Sequence, residues 1–161
     1  MKIKEVTLPD LAAALALVNR VFYRFVAADY GPGGRKTFED YLKHKAEDNA
    51  ARIGAGEKRI WGAYENDAIV GVISLAGQDH ISLLFVEPKL HRRGIATRLF
   101  RFLQGFLDGQ EYSGEITVNS SPYAVPVYQR LGFEATGELQ ENDGIKYVPM
   151  VYKGATRHDV F

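Results

Sequence analysis

The sequence predicts a mixed α/β fold in which a central sheet is covered by helices on both faces, and three observations carry that expectation. The run from His80 to Glu87 has apolar residues on both sides of a strand, Ile81, Leu83 and Phe85 against Leu84 and Val86, as burial on both faces requires. From Gly94 to Leu107, the residues Ile95, Leu99, Phe102 and Phe106, with Ala96, Leu103 and Leu107 beside them, form one helical stripe. Arg98, Arg101 and Gln104 fall outside that stripe. Arg59–Glu65 and Ala68–Ala76 flank Asn66-Asp67, a polar spacer short enough for a tight hairpin.

The remaining elements follow in chain order. Ile3 to Val6 reads as a short strand. Thr7 then caps a helix with Pro9 in its first turn, where amide donors lack partners anyway, and Asp10 completes a capping box. That helix runs from Asp10 to Phe25 with Leu11, Leu15, Val18 and Phe22 on one face. Tyr30-Gly31-Pro32-Gly33-Gly34 breaks regular structure, and a second helix over Thr37–Ile53 ends in Gly54-Ala55-Gly56. After the long helix comes a strand over Glu115–Asn119, then a short helix bearing Val127, Tyr128 and Leu131 that stops at Gly132. Phe133–Leu139 and Lys146–Tyr152 close the sheet around the turn Asn142-Asp143-Gly144. Thr156 to Phe161 shows no usable pattern.

Bulk properties narrow the function classes. A chain of 161 residues without internal repeats is expected to form one domain over 1–161, burying roughly two-thirds of its unfolded surface. Twenty basic and twenty acidic side chains cancel, so no global field favours nucleic acid or an anionic membrane surface. The absence of cysteine removes thiolate chemistry and disulfides and is compatible with a reducing cytoplasm. Lys2 and Lys4 before Leu11–Val18 resemble a signal peptide, but Glu5, Pro9 and Asp10 interrupt it. No segment is apolar enough for a membrane span. His44, His91 and His158 show no metal-ligand spacing, so no metal is expected.

Chemistry concentrates in two segments. Glu87-Pro88-Lys89-Leu90-His91-Arg92-Arg93-Gly94-Ile95-Ala96, followed by Thr97, delivers unpaired amides to a helix start, where the backbone favours an anion. Gly94 lacks the Cβ that would hold a diphosphate away from those amides, and Arg92 and Arg93 add positive charge. The second segment, Val118 to Phe133, ends a strand at Asn119 and presents Tyr128 on a short helix before Gly132.

Together these segments resemble the GCN5-related (GNAT) N-acetyltransferases. That family's pyrophosphate motif runs Gln or Arg, any two residues, Gly, any residue, Gly or Ala. Gly94 and Ala96 match, and His91 stands at the first position. Tyr128, Gly132 and Phe133 match the family's later motif, with Asn119 ending the preceding strand. The resemblance implies a mostly antiparallel sheet and a cofactor-binding core over about residues 80–133. It also implies acetyl-CoA as cosubstrate, held by His91 to Thr97, Phe85, Val86, Asn119 and Tyr128.

In the implied reaction a neutral amine attacks the acetyl thioester, an oxyanion forms, and a thiolate leaves. For the oxyanion the resemblance suggests a backbone N–H where the sheet splays open, near Phe85 or Val86, with Val86 chosen; such a donor is worth roughly 3 kcal/mol. Tyr128 is the expected general acid; its phenol, of pKa about 10, is slightly too weak unperturbed, and a nearby helix start or the arginines could lower it. The expected base is His80, with Glu87, Asp79 or a water chain as alternatives.

The acceptor enters, by resemblance, between the first two helices and the last hairpin. Phe22, Tyr23, Phe25, Tyr30, Phe38, Tyr41 and Tyr147 are the aromatic residues available to wall it. The expected partners are a small-molecule or peptide amine, without nucleic acid or membrane, for a monomer or homodimer. The main rival is a non-catalytic acyl-CoA-binding module of the same fold. A dinucleotide-dependent oxidoreductase would need Gly-any-Gly-any-any-Gly after an early strand, which this chain lacks.

Overall fold

Two tight turns organise the sheet, and both use the left-handed backbone region. Asn66 and Asp67 have φ of 50° and 67°, and Asp143 and Gly144 have φ of 51° and 81°. That pairing matches the twist of the flanking strands. The computed structural model describes residues 1–112 and 114–154, so His158 and the tail from Thr156 lie outside it.

Among the described residues the strands are β1 (Lys2–Glu5), β2 (Ile60–Glu65), β3 (Ala68–Ala76), β4 (His80–Val86), β5 (Ile116–Ser120), β6 (Glu134–Ala135), β7 (Gln140–Asn142) and β8 (Ile145–Tyr152). They form a sheet in the order β1-β2-β3-β4-β5-β8-β6, with β7 also paired to β8. Every pairing is antiparallel except that of β4 with β5. The helices are α1 (Leu8–Val21), α2 (Pro32–Gly54), α3 (Ile95–Gly109) and α4 (Val125–Leu131). None is long and apolar enough to cross a membrane.

The expected mixed sheet covered on both faces is present. Leu99, Leu103 and Leu107 of α3 pack with Ile73, Ile81 and Val86 on one face. Leu11, Leu15 and Val18 of α1 pack with Val72 and Leu83 on the other, and α2 lays Tyr41, Leu42 and Ile53 against that second core. Ile81 and Leu83 therefore face opposite sides, where strict alternation puts them together. The cause is a register shift: Leu83 pairs with Ser74 and Ile81 with Leu75, leaving Ser82 as an extra residue in β4.

Three local expectations change. Thr7 occupies the N-cap position without a side-chain capping bond. Asp10 instead accepts a hydrogen bond from the Tyr64 hydroxyl at 2.9 Å, so there is no capping box. The first helix passes at Phe22 into a π-helical turn that ends at Val26. The second helix begins at Pro32, five residues before the expected Thr37, and takes Gly33 and Gly34 into its first turn.

The glycines there serve a backbone contact. A Cβ on Gly34 would lie 2.2 Å from the Gly144 carbonyl oxygen, and one on Gly144 would lie 2.5 Å from the Gly34 nitrogen. The start of α2 thus abuts the β7–β8 turn, where the Thr37 hydroxyl also donates to the Asp143 carbonyl at 2.8 Å. Gly34→Ala is expected to lower stability by about 2 kcal/mol or more, because neither backbone can yield easily. A Cβ on Gly33 would meet nothing within 4 Å, so Gly33→Ala should raise stability by up to about 1 kcal/mol through helix propensity. Urea unfolding of the two variants checks the contrast.

Candidate active site

The parallel pairing of β4 with β5 is short. Its register covers His80 with Thr117 and Ile81 with Val118, after which the strands separate while β4 runs on to Val86. The alternation of an antiparallel ladder shows which groups this frees. The Glu87 N–H donates to the Val70 carbonyl at 2.8 Å, so Glu87 opposite Val70 is a hydrogen-bonded pair. Two residues back, Phe85 opposite Val72 is the next such pair, and the peptide groups of Val86 and Leu84 point away from β3 into the gap. Of the two expected positions, Phe85 spends its N–H on the ladder and Val86 keeps its own for the gap. Leu84 offers a second donor that no feature of the sequence marks.

The loop after β4 closes the mouth of this gap. Glu87 pairs with Arg20 of α1 at 2.8 Å, and a short 3-10 turn spans Pro88–Leu90. His91 places Nε2 2.8 Å from the Val86 carbonyl oxygen. A carbonyl only accepts, so Nε2 carries the hydrogen and Nδ1 is the acceptor. Arg92 and Gly94 both take positive φ, 68° and 78°. This turns the chain so that the first amides of α3, those of Ile95, Ala96 and Thr97, start the helix without intrahelical partners, and no side chain caps them. A Cβ at Gly94 would meet no protein atom within 4 Å. The Ile95 side chain itself is buried in the core, and the exposed Arg93 side chain does not border the cavity described next.

One cavity of about 1160 Å³ joins these parts. At one end lie Arg92, Gly94, Ala96 and Thr97; along it run Leu84, Phe85, Val86, Asn119 and Tyr128; at the other end stand Phe22, Tyr30, Phe38, Tyr41 and Tyr147. Phe22 stacks on Phe38 with ring centroids 3.8 Å apart. Tyr23 and Phe25 stay outside. Tyr23 bonds Glu39, and Phe25 stacks on Tyr123 at 5.0 Å beside His91.

Tyr128 sits on the second turn of α4, which Gly132 ends with φ of 107°. Its ring packs edge-on against Phe133 at 5.4 Å, and its hydroxyl has no hydrogen-bond partner among the described residues. Burial raises its pKa above the usual 10.0. Desolvation of the phenolate is the cause, so the lowering that a helix start or arginines could bring is not realised. Asn119 is exposed to the cavity opposite Pro149, which has no N–H to offer it.

His80 borders the same cavity, with Nδ1 2.8 Å from the Thr117 hydroxyl. Burial lowers its pKa below the usual 6.5, with Asp79 opposing and Lys45 adding to the shift. It lies, however, six residues from Val86 on an extended strand, which is about 20 Å. His80 and Val86 cannot both touch one reacting carbon. The alternative carboxylates do not border the cavity: Glu87 faces Arg20, and Asp79 accepts from the Tyr112 hydroxyl at 3.2 Å.

The folded chain keeps His80 neutral to lower pH than the unfolded chain does. The stability contributed by that neutral ring is complete above pH 6.5 and is lost as pH falls below it, where the unfolded state takes up the proton first. His80→Gln should remove this part of the acid sensitivity. Denaturant titrations at about pH 7.5 and about pH 5 are expected to show a smaller difference for the variant than for the parent chain.

The family model described as an acetyltransferase (GNAT) domain matches residues 26–153. The uncharacterized N-acetyltransferase YafP of Escherichia coli is 35% identical over 78 residues, a stretch covering 48% of this chain and 47% of that relative. The chain thus spans about half the length of the curated relative it matches. Among solved structures, a GCN5-related N-acetyltransferase from Rhodopseudomonas palustris superposes with a TM-score of 0.74 at 20% identity, over 94% of each chain. The PaiA N-acetyltransferase of Thermoplasma acidophilum, solved in complex with coenzyme A, superposes with a TM-score of 0.71 at 15% identity, over 94% of this chain and 98% of that one.

Proposed function

The chain belongs to the GNAT acetyltransferases, and from that premise we propose that it transfers the acetyl group of acetyl-CoA to a primary amine of a small molecule or peptide by direct attack. The observation that carries this reading is the continuity of one cavity from the bare amides of α3, past the open edge of β4 and the Tyr128 hydroxyl, to an aromatic chamber.

The residues present fit the donor. Acetyl-CoA supplies an activated acyl group and a thiolate leaving group. The amides of Ile95, Ala96 and Thr97, with the positive φ of Arg92 and Gly94 before them, form a concave set of donors suited to a diphosphate. The Arg92 guanidinium adds charge at that end. Val86 and Leu84 offer N–H groups along the gap, and one of them, Val86 by its place nearer the diphosphate end, donates to the oxyanion. Asn119 presents its amide from the opposing strand.

Tyr128 stabilises the departing sulfur by donating a hydrogen bond. Its raised pKa keeps the phenol protonated at every physiological pH, so proton transfer trails the breaking of the carbon–sulfur bond. The proton lost by the amine reaches His80 through water held along the chamber, since no direct contact spans the separation along β4.

Tyr128→Phe should lower kcat by about 10²-fold with little change in acetyl-CoA affinity. Because the hydroxyl has no hydrogen-bond partner among the described residues, the same change should leave unfolding stability equal or slightly raised. That pairing of lost turnover with kept stability separates chemistry from packing.

The reaction itself is tested by coenzyme A release from acetyl-CoA across amino acids, peptides with free N-termini, polyamines and aminoglycosides. Turnover with at least one acceptor is the expected result. Tight acetyl-CoA binding by calorimetry with no release from any acceptor would replace the enzyme with an acyl-CoA-binding module.

A further inference from the structure

The acceptor chamber holds a cation that the mechanism leaves unused. Lys45, on the fourth turn of α2, borders the cavity and is half-buried. Among the described residues no carboxylate lies within 4.0 Å of its Nζ, which stands 5.6 Å from the centre of the Tyr41 ring. The nearest acid on its own helix, Asp48, is bonded to Arg52 at 3.0 Å. Burial pulls the Lys45 pKa below its usual 10.5, with Asp48 opposing and Arg52 and Arg59 adding to the shift.

The rest of the chamber sharpens the question of what completes that charge. Its lining contains one carboxylate among the described residues, Asp143, on the exposed β7–β8 turn. Aromatic and apolar side chains form much of the wall, with Phe22 on Phe38, Tyr41 donating to the Ser82 carbonyl at 3.4 Å, and Ile145 and Tyr147, while Thr37, His80, Ser82 and Asn142 add uncharged polar groups. A polycationic acceptor finds almost no counter-charge there.

Resting on the acetyltransferase reading, we propose that the acceptor is an amine with an apolar body and a carboxylate remote from that amine, a short peptide in kind, and that Lys45 binds the carboxylate. The separation argues for the remote placement. The Tyr41 hydroxyl reaches the Ser82 carbonyl and the Lys45 Nζ lies 5.6 Å from the centre of that ring, so Lys45 stands near Ser82 at the start of β4. Val86, the donor assigned to the oxyanion, is four residues beyond Ser82, about 13 Å further along an extended strand. A free α-amino acid carries both groups on one carbon and cannot reach both ends. A peptide of two or three residues spans up to about 7–10 Å, and the lysine side chain covers the remainder.

The test compares dipeptides and tripeptides ending in phenylalanine as free acids and as C-terminal amides, with coenzyme A release as the readout. The parent chain is expected to favour the acids by about tenfold or more in kcat/KM, the scale of one charge-assisted bond. Lys45→Met should erase that preference by raising KM for the acids about 10- to 100-fold, with kcat within about twofold and acetyl-CoA affinity unchanged. Lys45→Arg should restore most of the preference. Equal use of acids and amides by the parent chain, or an unchanged preference in Lys45→Met, overturns the proposal and leaves the acetyltransferase reading standing. No release from any acceptor while acetyl-CoA still binds overturns both.

Discussion

The parting of β4 from β5 governs the rest of this molecule. Two residue pairs join the strands, and beyond Ile81 and Val118 each goes its own way. A buried strand edge without a partner is costly, since each peptide group that leaves water wants a hydrogen bond. Here the edge belongs to the central strand, with α3 on one face of the sheet and α1 on the other. The gap is therefore a place where backbone donors are held ready by the fold and await a ligand. The surrounding parts anchor its rim: Arg20 holds Glu87, the His91 ring holds the Val86 carbonyl, and β5 is held on its far side by β8.

The proposed diphosphate site depends on the same parting. The chain leaves β4 at Val86, reverses through Arg92 and Gly94, and enters α3, whose stripe of Ile95, Leu99 and Leu103 docks on the sheet beside Gly71. A Cβ at Gly71 would lie 3.0 Å from Leu99 and 3.1 Å from Ile95, so the bare glycine lets α3 sit close. That docking aims the helix start at the mouth of the gap. His91 gains a role from this geometry that its motif position does not suggest: it ties the loop to the strand by a hydrogen bond to the main chain.

Much of this is legible in the sequence, and the reasons are local. Asn66-Asp67 and Asp143-Gly144 favour left-handed backbone by their own chemistry, the α3 stripe is a matter of spacing, and Gly132 ends α4 because it tolerates φ of 107°. What the sequence hides depends on distant parts of the chain. Ile81 and Leu83 depart from simple alternation because the extra residue at Ser82 breaks a period of two, and nothing in Ser82 itself announces it. The choice between Phe85 and Val86 turns on the ladder phase, which the bond from Glu87 to Val70 sets. Gly33 and Gly34 read as a helix breaker because their partner, Gly144, lies far along the chain. The charges near Tyr128 in sequence argue for a lowered pKa, whereas burial by the whole fold raises it.

The two halves of the cavity have different origins, and this explains why one can be read from sequence and the other cannot. The donor half comes from one continuous stretch, His80 to Tyr128, in which strand, loop and helix follow one another and each places the next. Its chemistry is tied to local order. The acceptor half is assembled from α1, α2 and the β7–β8 hairpin, which meet through the backbone contact of Gly34 with Gly144 and the bond from Thr37 to Asp143. Side chains on those walls, Lys45 and Tyr147 among them, belong to the acceptor end of the cavity. A substitution there changes what the chamber admits and leaves the acyl donor's site intact. On the proposed reading, specificity for the amine resides in contacts between segments that are remote in sequence, and only the folded chain displays them.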